Sequence, residues 1–177
     1  MTITREARDD VRRRAHFACE YCGVTETDTA GELTLDHYHP QAKGGGDDLG
    51  NLLYCWMRCN QYKGDYWPTD ARKPRLWNPR IESASRHFVH VEDGSLYALT
   101  TIGRFTLQRL RLNRAPLVAY RHRQQVQVDE RRLLASYHEL AELPERLQAQ
   151  QGKLLQEQQQ LLEEQRALLR ALLDEGM

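Results

Sequence analysis

A carboxylate beside an imidazole, with a carboxamide further along, can cleave a phosphodiester bond, and the stretch Cys19 to Lys63 holds such a set at Asp36, His37 and Asn60. Cleavage needs a base to activate water, a cation to neutralise developing charge, and support for the leaving oxygen. A neutral imidazole suits the first task near physiological pH. Hard oxygen donors such as Asp36 and Asn60 suit Mg²⁺ or Mn²⁺ for the second. Neighbours on a regular strand face opposite ways, so Asp36 and His37 serve one cation only if the strand ends or twists there. Pro40 and the glycines after it favour such an ending. A strand continued past His37 would bring His39 to the same face, as a second base or a substrate contact.

The same stretch holds all four cysteines, as Cys19-x-x-Cys22 and Cys55-x-x-x-Cys59. Paired spacing in a chain with no secretory signal pattern reads as a metal site before a disulfide. Four thiolates bind Zn²⁺ tetrahedrally, and a closed site of that kind is structural. Residues i and i+4 share a helix face, so Cys55 joins only if the helix start shifts. The alternative is a three-cysteine or metal-free site in which Trp56 packs the vacancy.

Taken together, the motifs are Cys19-Glu-Tyr-Cys22-Gly23, Leu33-Thr-Leu-Asp36-His37-Tyr-His39-Pro40, Gly44-Gly45-Gly46-Asp47-Asp48-Leu49-Gly50-Asn51-Leu52 and Cys55-Trp-Met-Arg-Cys59-Asn60-Gln-Tyr-Lys63-Gly64-Asp65. The stretch closely resembles the HNH endonuclease family, whose fold is a small ββα-metal core. The resemblance implies that His37 is the general base and Asp36 and Asn60 the Mg²⁺ or Mn²⁺ ligands. It implies that Asn51 braces the loop positioning the histidine, and that Lys63 meets a phosphate. In zinc-containing members the second pair is usually CxxCN, and here Trp56 stands at the expected cysteine. A softer similarity to stand-alone bacterial HNH proteins runs on through Leu76-Trp-Asn-Pro79-Arg80, His87-Phe88 and Leu99-Thr-Thr-Ile-Gly103-Arg104, so the resemblance spans residues 15 to 118.

These groups must be carried by short elements. Thr4 to Ala15 reads as a helix capped by Thr4, with its arginines at the end where the dipole favours cations. Residues 25 to 31 read as a loop, 32 to 36 as a strand, 41 to 50 as a glycine-rich turn, and 51 to 63 as a helix stopping at Gly64. Asp47 or Asp48 can bond local amides in that turn. Residues 65 to 80, with three X-Pro steps, form an irregular wrap. Residues 86 to 91 and 95 to 99 make a hairpin around Asp93-Gly94. Thr101 caps a helix through Leu112, Asn113 ends it, and a second helix starts near Arg114 and runs through Leu140 until Pro144 interrupts it.

Beyond Pro144 the chain is mostly Leu, Gln, Glu, Arg and Ala. Leucines recur seven apart at 133, 140, 147, 154, 161 and 168, with a further row at 155, 162 and 169, then Leu172 and Leu173. A companion row reads Tyr137, Pro144, Gln151, Gln158, Gln165 and Leu172. Such a stripe predicts a coiled coil. At 1.5 Å per residue the part beyond Pro144 spans roughly 45 Å, too long to lie flat on a small domain. It is expected to pair two copies or to bind a partner protein.

The expected class is therefore α+β: an HNH nuclease domain at 1–126 with a zinc knuckle, hairpin and helical tail, then a helical coiled-coil extension at 127–177. Formal net charge is zero over 177 residues. Up to Val126 there are 19 Lys+Arg against 15 Asp+Glu; from Gln127 onward, 6 against 10. Local basic surface attracts a phosphate backbone. The nucleic-acid contacts expected are Arg12, Arg13, Arg14, His39, Lys43, Lys63, Arg104, Arg109 and Arg111, with DNA as substrate. No apolar run is long enough to cross a bilayer, and a cytoplasmic location is expected. The rival reading is a zinc-stabilised nucleic-acid-binding module that is silent or needs a partner to turn over.

Overall fold

The computed structural model describes residues 3–70 and 72–174, without the side chains of residues 168, 169 and 171–174. It divides into two units, Met1–Gln125 and Val126–Met177. The first carries α1 (Arg5–Arg14), α2 (Glu26–Thr29), β1 (Thr34–His37), β2 (Leu52–Cys55), α3 (Met57–Lys63), β3 (Phe88–His90), β4 (Leu96–Ala98), α4 (Thr101–Arg109) and the start of α5 (Ala115–Asp174).

The architecture is mixed α and β, with two small antiparallel sheets. Thr4 caps α1 through a 3.1 Å bond from the Ala7 amide, as its position predicts. β1 pairs with β2 in the register Thr34 with Cys55 and His37 with Leu52. α3 packs on β1 and α1 on β2. Every residue of β2 is buried.

That burial explains one departure from expectation. Residues 51–63 are not one helix: β2 comes first, and α3 begins after Trp56. Leu52-Leu-Tyr-Cys55 is a continuous apolar run, and a strand covered on both faces loses the alternation that would reveal it. Residues 25–31 also differ. They form α2, where Thr25 and Asp28 make a reciprocal capping box. Glu26 leaves α2 to meet Arg12 at 2.5 and 2.7 Å and to accept a bond from the Tyr54 hydroxyl. This ties α1, α2 and β2 together.

The wrap after α3 is irregular, as expected, but Leu76, Trp77 and Asn78 are buried. The Trp77 amide donates to Thr106 Oγ1 at 2.7 Å, and the Tyr38 hydroxyl to the Leu76 carbonyl at 2.7 Å. Gly103 of α4 lies against the His87 carbonyl, where an added Cβ would come within 2.4 Å. The hairpin β3–β4 forms around Asp93-Gly94. α4 is capped by Thr100 and ends at Arg109, short of Leu112. Asn113 therefore does not end it: its amide pairs with both backbone groups of Leu96, each at 2.8 Å.

Arg75 grips Glu82 with two bonds of 2.6 and 2.7 Å. That grip holds the Glu82 carboxyl at about 2, below its ordinary 4.5. A carboxyl depressed by folding stabilises the fold above its unfolded value and loses that contribution as pH falls through its folded one. The urea midpoint should therefore fall between about pH 5 and pH 2. Arg75→Met should flatten this part of the curve; an unchanged slope would remove the pair from the explanation.

α5 runs without interruption through Pro144. Proline removes one helical bond and crowds the carbonyl four residues back, yet its neighbours Leu143, Glu145, Arg146 and Leu147 include strong helix formers that keep the segment helical. Among residues with described side chains, Leu133, Leu140, Leu147, Leu154 and Leu161 are all more than half exposed. The last rows of the stripe, Leu168, Leu169, Leu172 and Leu173, lie outside the described side chains. Among the described residues no helix is long and apolar enough to cross a membrane.

Candidate metal and catalytic centre

β1 ends at His37, and the long loop to β2 folds back over it. Asn51 makes that return. Its Oδ1 accepts from the His39 amide at 2.7 Å, while its Nδ2 donates to the His39 carbonyl at 3.0 Å and the Gly46 carbonyl at 2.7 Å. Gly45 sits so close to the His39 carbonyl that a Cβ would come within 1.8 Å. Asn51→Ala removes all three side-chain bonds and should cost about 1–3 kcal/mol for the groups it strands. A chemical-denaturation midpoint equal to wild type would show that the loop holds itself.

The loop brings Asp47 to His37. His37 Nε2 lies 2.8 Å from Asp47 Oδ1, which also accepts from Gln41 Nε2 at 2.7 Å. The histidine bond, then the glutamine bond, hold the Asp47 carboxyl below its ordinary value against some desolvation. Sequence reasoning assigned Asp47 and Asp48 only to local amides. The available signal was that a turn returning to its own strand must aim some loop residue at the strand end.

Asp36 lies in the β1–α3 packing and is buried. Its Oδ1 pairs with Lys63 Nζ at 3.1 Å, and Lys63 also donates to the His37 carbonyl at 2.6 Å. Asp36 Oδ2 is buried without a partner. Burial pushes the Asp36 carboxyl up, and Lys63 opposes the shift. Lys63 is thus fully buried against Asp36, not displayed toward a phosphate. Asn60 lies one turn before Lys63 on α3, on the helix face shared by positions three apart. A buried acidic oxygen lacking a donor, beside a helix carrying a carboxamide, fits a hard divalent cation.

The cysteines form a second cluster. The sulfurs of Cys19, Cys22 and Cys59 all lie within 4.8 Å of one another. Gly23, at φ +76, turns the knuckle, and its amide bonds the Cys19 carbonyl at 2.8 Å. All four cysteines are buried and unpaired. Cys55 ends β2 and is not among the three clustered sulfurs; its own sulfur lies 3.5 Å from the Trp56 carbonyl. Burial raises the Cys19 thiol, but bonds from Cys22, Cys55, Cys59 and the Trp56 backbone outweigh it and take Cys19 well below its ordinary value. The bond to Cys19 is the first reason the other three rise, Cys59 to about 12. Soft donors that concentrate the first negative charge in this way suit Zn²⁺.

The basic residues divide. Arg12 is committed to Glu26 and Glu32, and Arg14 donates to the Leu52 carbonyl. Arg13 is exposed and pairs with Asp10 at 2.5 Å. His39 stacks on Trp67 at 3.9 Å, and its Nε2 meets the Lys43 carbonyl. Lys43 Nζ lies 3.9 Å from Asp65. Arg104 is exposed. Arg109 and Arg111 lie over the rings of Tyr66 and Tyr62 at 5.1 and 4.9 Å.

Two strands joined by a histidine-bearing loop and closed by a helix, over a thiol knuckle, define a ββα-metal unit. Residues 19–66 match the family model described as HNH endonuclease, and the chain carries an HNH domain there. Domains of this type are nuclease-like, use divalent metals and bind nucleic acid. No curated protein and no solved structure matches the chain.

Proposed function

We propose that the chain is a metal-dependent HNH endonuclease that hydrolyses phosphodiester bonds in DNA. The observation that carries this reading is His37 held by Asp47, on a loop braced by Asn51, directly beside Asp36 with its unpartnered buried oxygen. His37 takes the proton of the attacking water. Asp36 and Asn60 are the residues that would hold Mg²⁺ or Mn²⁺, which supplies charge neutralisation at the scissile phosphate. Arg104, Arg109, Arg111 and Lys43 offer the basic surface for the backbone, with Arg13 at its edge. Residues 1–126 act as the nuclease domain of a cytoplasmic protein.

The test is cleavage of supercoiled plasmid by the full chain with Mg²⁺ or Mn²⁺, beside an EDTA control. Cutting that EDTA abolishes supports the reading. A folded chain inert with both metals favours a second one, a nucleic-acid-binding module without turnover. That reading draws on Lys63, whose ammonium already neutralises Asp36.

The leucine stripe of α5 pairs two copies of the chain. Leu154→Lys with Leu161→Lys should convert a dimer to a monomer in light scattering. A wild-type monomer at high concentration would overturn the pairing. In a dimer, two active sites on one duplex yield linear product; a monomer yields nicks.

A further inference from the structure

Arg121 is nine-tenths buried, yet no carboxylate bonds it. Its Nε donates to the Gly94 carbonyl at 2.6 Å, and its Nη2 to the Leu112 carbonyl at 2.9 Å and Asn113 Oδ1 at 3.2 Å. Its Nη1 is buried without a partner. A buried guanidinium without a counter-charge is costly. Arg121 and Cys22 line one cavity of about 440 Å³. Burial weighs against the Arg121 cation; Asp93 favours it and Arg114 opposes it.

A second arginine repeats the arrangement on the other side. Arg114 Nη2 donates to Cys59 Sγ at 3.7 Å. Its Nη1 is satisfied by the Leu110 and Arg111 carbonyls, and the guanidinium lies 4.8 Å over the Trp56 ring. On α5 the Tyr120 hydroxyl lies 2.9 Å from Asp28 Oδ2 and 3.2 Å from the Gly23 carbonyl, with one hydrogen to share between them. The start of α5 and the residue before it therefore reach the thiol cluster at Cys59, through Arg114, and at Gly23, through Tyr120. Zn²⁺ held by three or four thiolates carries net negative charge, which guanidinium groups offset.

We propose that Arg114 and Arg121 are the charge-balancing outer shell of a zinc site built on Cys19, Cys22 and Cys59, so that the metal also anchors the root of α5. The inference rests on the zinc reading of the cysteines and is independent of nuclease activity. Arg114 bonds the Cys59 sulfur directly. Arg121 lines the cavity beside Cys22. Outer partners of this kind are positioning residues: they keep thiolates ionised and ligands oriented, and losing one typically weakens metal binding about 10- to 100-fold.

The test uses the full zinc-loaded chain with Arg114→Met, Arg121→Met, Arg114→Lys and Arg121→Lys. Zinc content is measured by mass spectrometry, and the rate of zinc transfer to a colorimetric chelator is followed with far-UV circular dichroism as the folding control. Wild type should hold one zinc. Each Met variant should release it about tenfold faster or more, and the Lys variants, which keep the charge, should release it more slowly than the Met variants. Release at the wild-type rate from both Met variants overturns the proposal. Equal loss from Lys and Met variants assigns the effect to packing and also overturns it. A wild-type chain without zinc overturns the zinc reading beneath it. A second readout needs no variant to fold: the arginine side-chain Nε–H signals of the wild-type chain. Those of Arg114 and Arg121 should move on zinc removal while that of Arg104 stays; no selective movement overturns the proposal.

Discussion

On the proposed mechanism, His37→Ala leaves a folded protein that cuts DNA far more slowly than wild type. The expected loss is about 10²- to 10⁴-fold, the usual contribution of one general base. Folding should survive, because His37 is half-buried and its ring makes one bond of note, to Asp47; such bonds contribute about 1 kcal/mol net. His39 is no substitute. Its ring is stacked on Trp67 and its Nε2 is engaged by the Lys43 carbonyl. The measurement is the single-turnover rate on plasmid for wild type, His37→Ala and His39→Ala, with Mg²⁺ or Mn²⁺ and with EDTA. The histidine assignment fails if His37→Ala cuts at the wild-type rate while EDTA stops both.

Cys59→Ser should unfold the region around the active centre. The cluster joins two pieces, the Cys19–Gly23 knuckle and the first turn of α3. The paired strands are four residues long. A structural Zn²⁺ contributes apparent folding energies of about 10–16 kcal/mol in small zinc domains, as much as the whole stability of a typical domain, about 5–15 kcal/mol. Loss of one ligand, or exhaustive chelation, should therefore erase the near-UV circular dichroism of Tyr21, Tyr54 and Trp77 and the cooperative melt of the nuclease unit. A Cys59→Ser protein with the wild-type melting midpoint and no zinc would show that packing alone suffices.

The sequence was most legible where chemistry constrains spacing. Asp36, His37 and Asn60 could be named as candidates from their side-chain chemistry, and Asn51 from the resemblance to the HNH family. Elements marked by caps and turns, such as α1 after Thr4 and the hairpin at Asp93-Gly94, could also be placed. β2 was hidden because burial on both faces erases its alternation. Lys63 could not be placed from its type: a lysine near a phosphate site and a lysine buried on a carboxylate look alike until the packing of α3 on β1 is known. Asp47 was missed because its partner lies ten residues back, across a loop whose path depends on Asn51 and Gly45. Arg12 and Arg14 read as part of a cationic patch, but the acceptors that claim them, Glu26 and the Leu52 carbonyl, come from later parts of the chain.

The proline inside α5 has a mechanical consequence. The amide that would close the ring onto the Leu140 carbonyl belongs to residue 144, and proline has none. A rod lacking one strut has its lowest bending stiffness there. The segment after Val126 is thus two stiff lengths joined by a compliant point. Thermal bending concentrates between Leu140 and Pro144, while the leucine and glutamine rows beyond keep their registry as one straight piece.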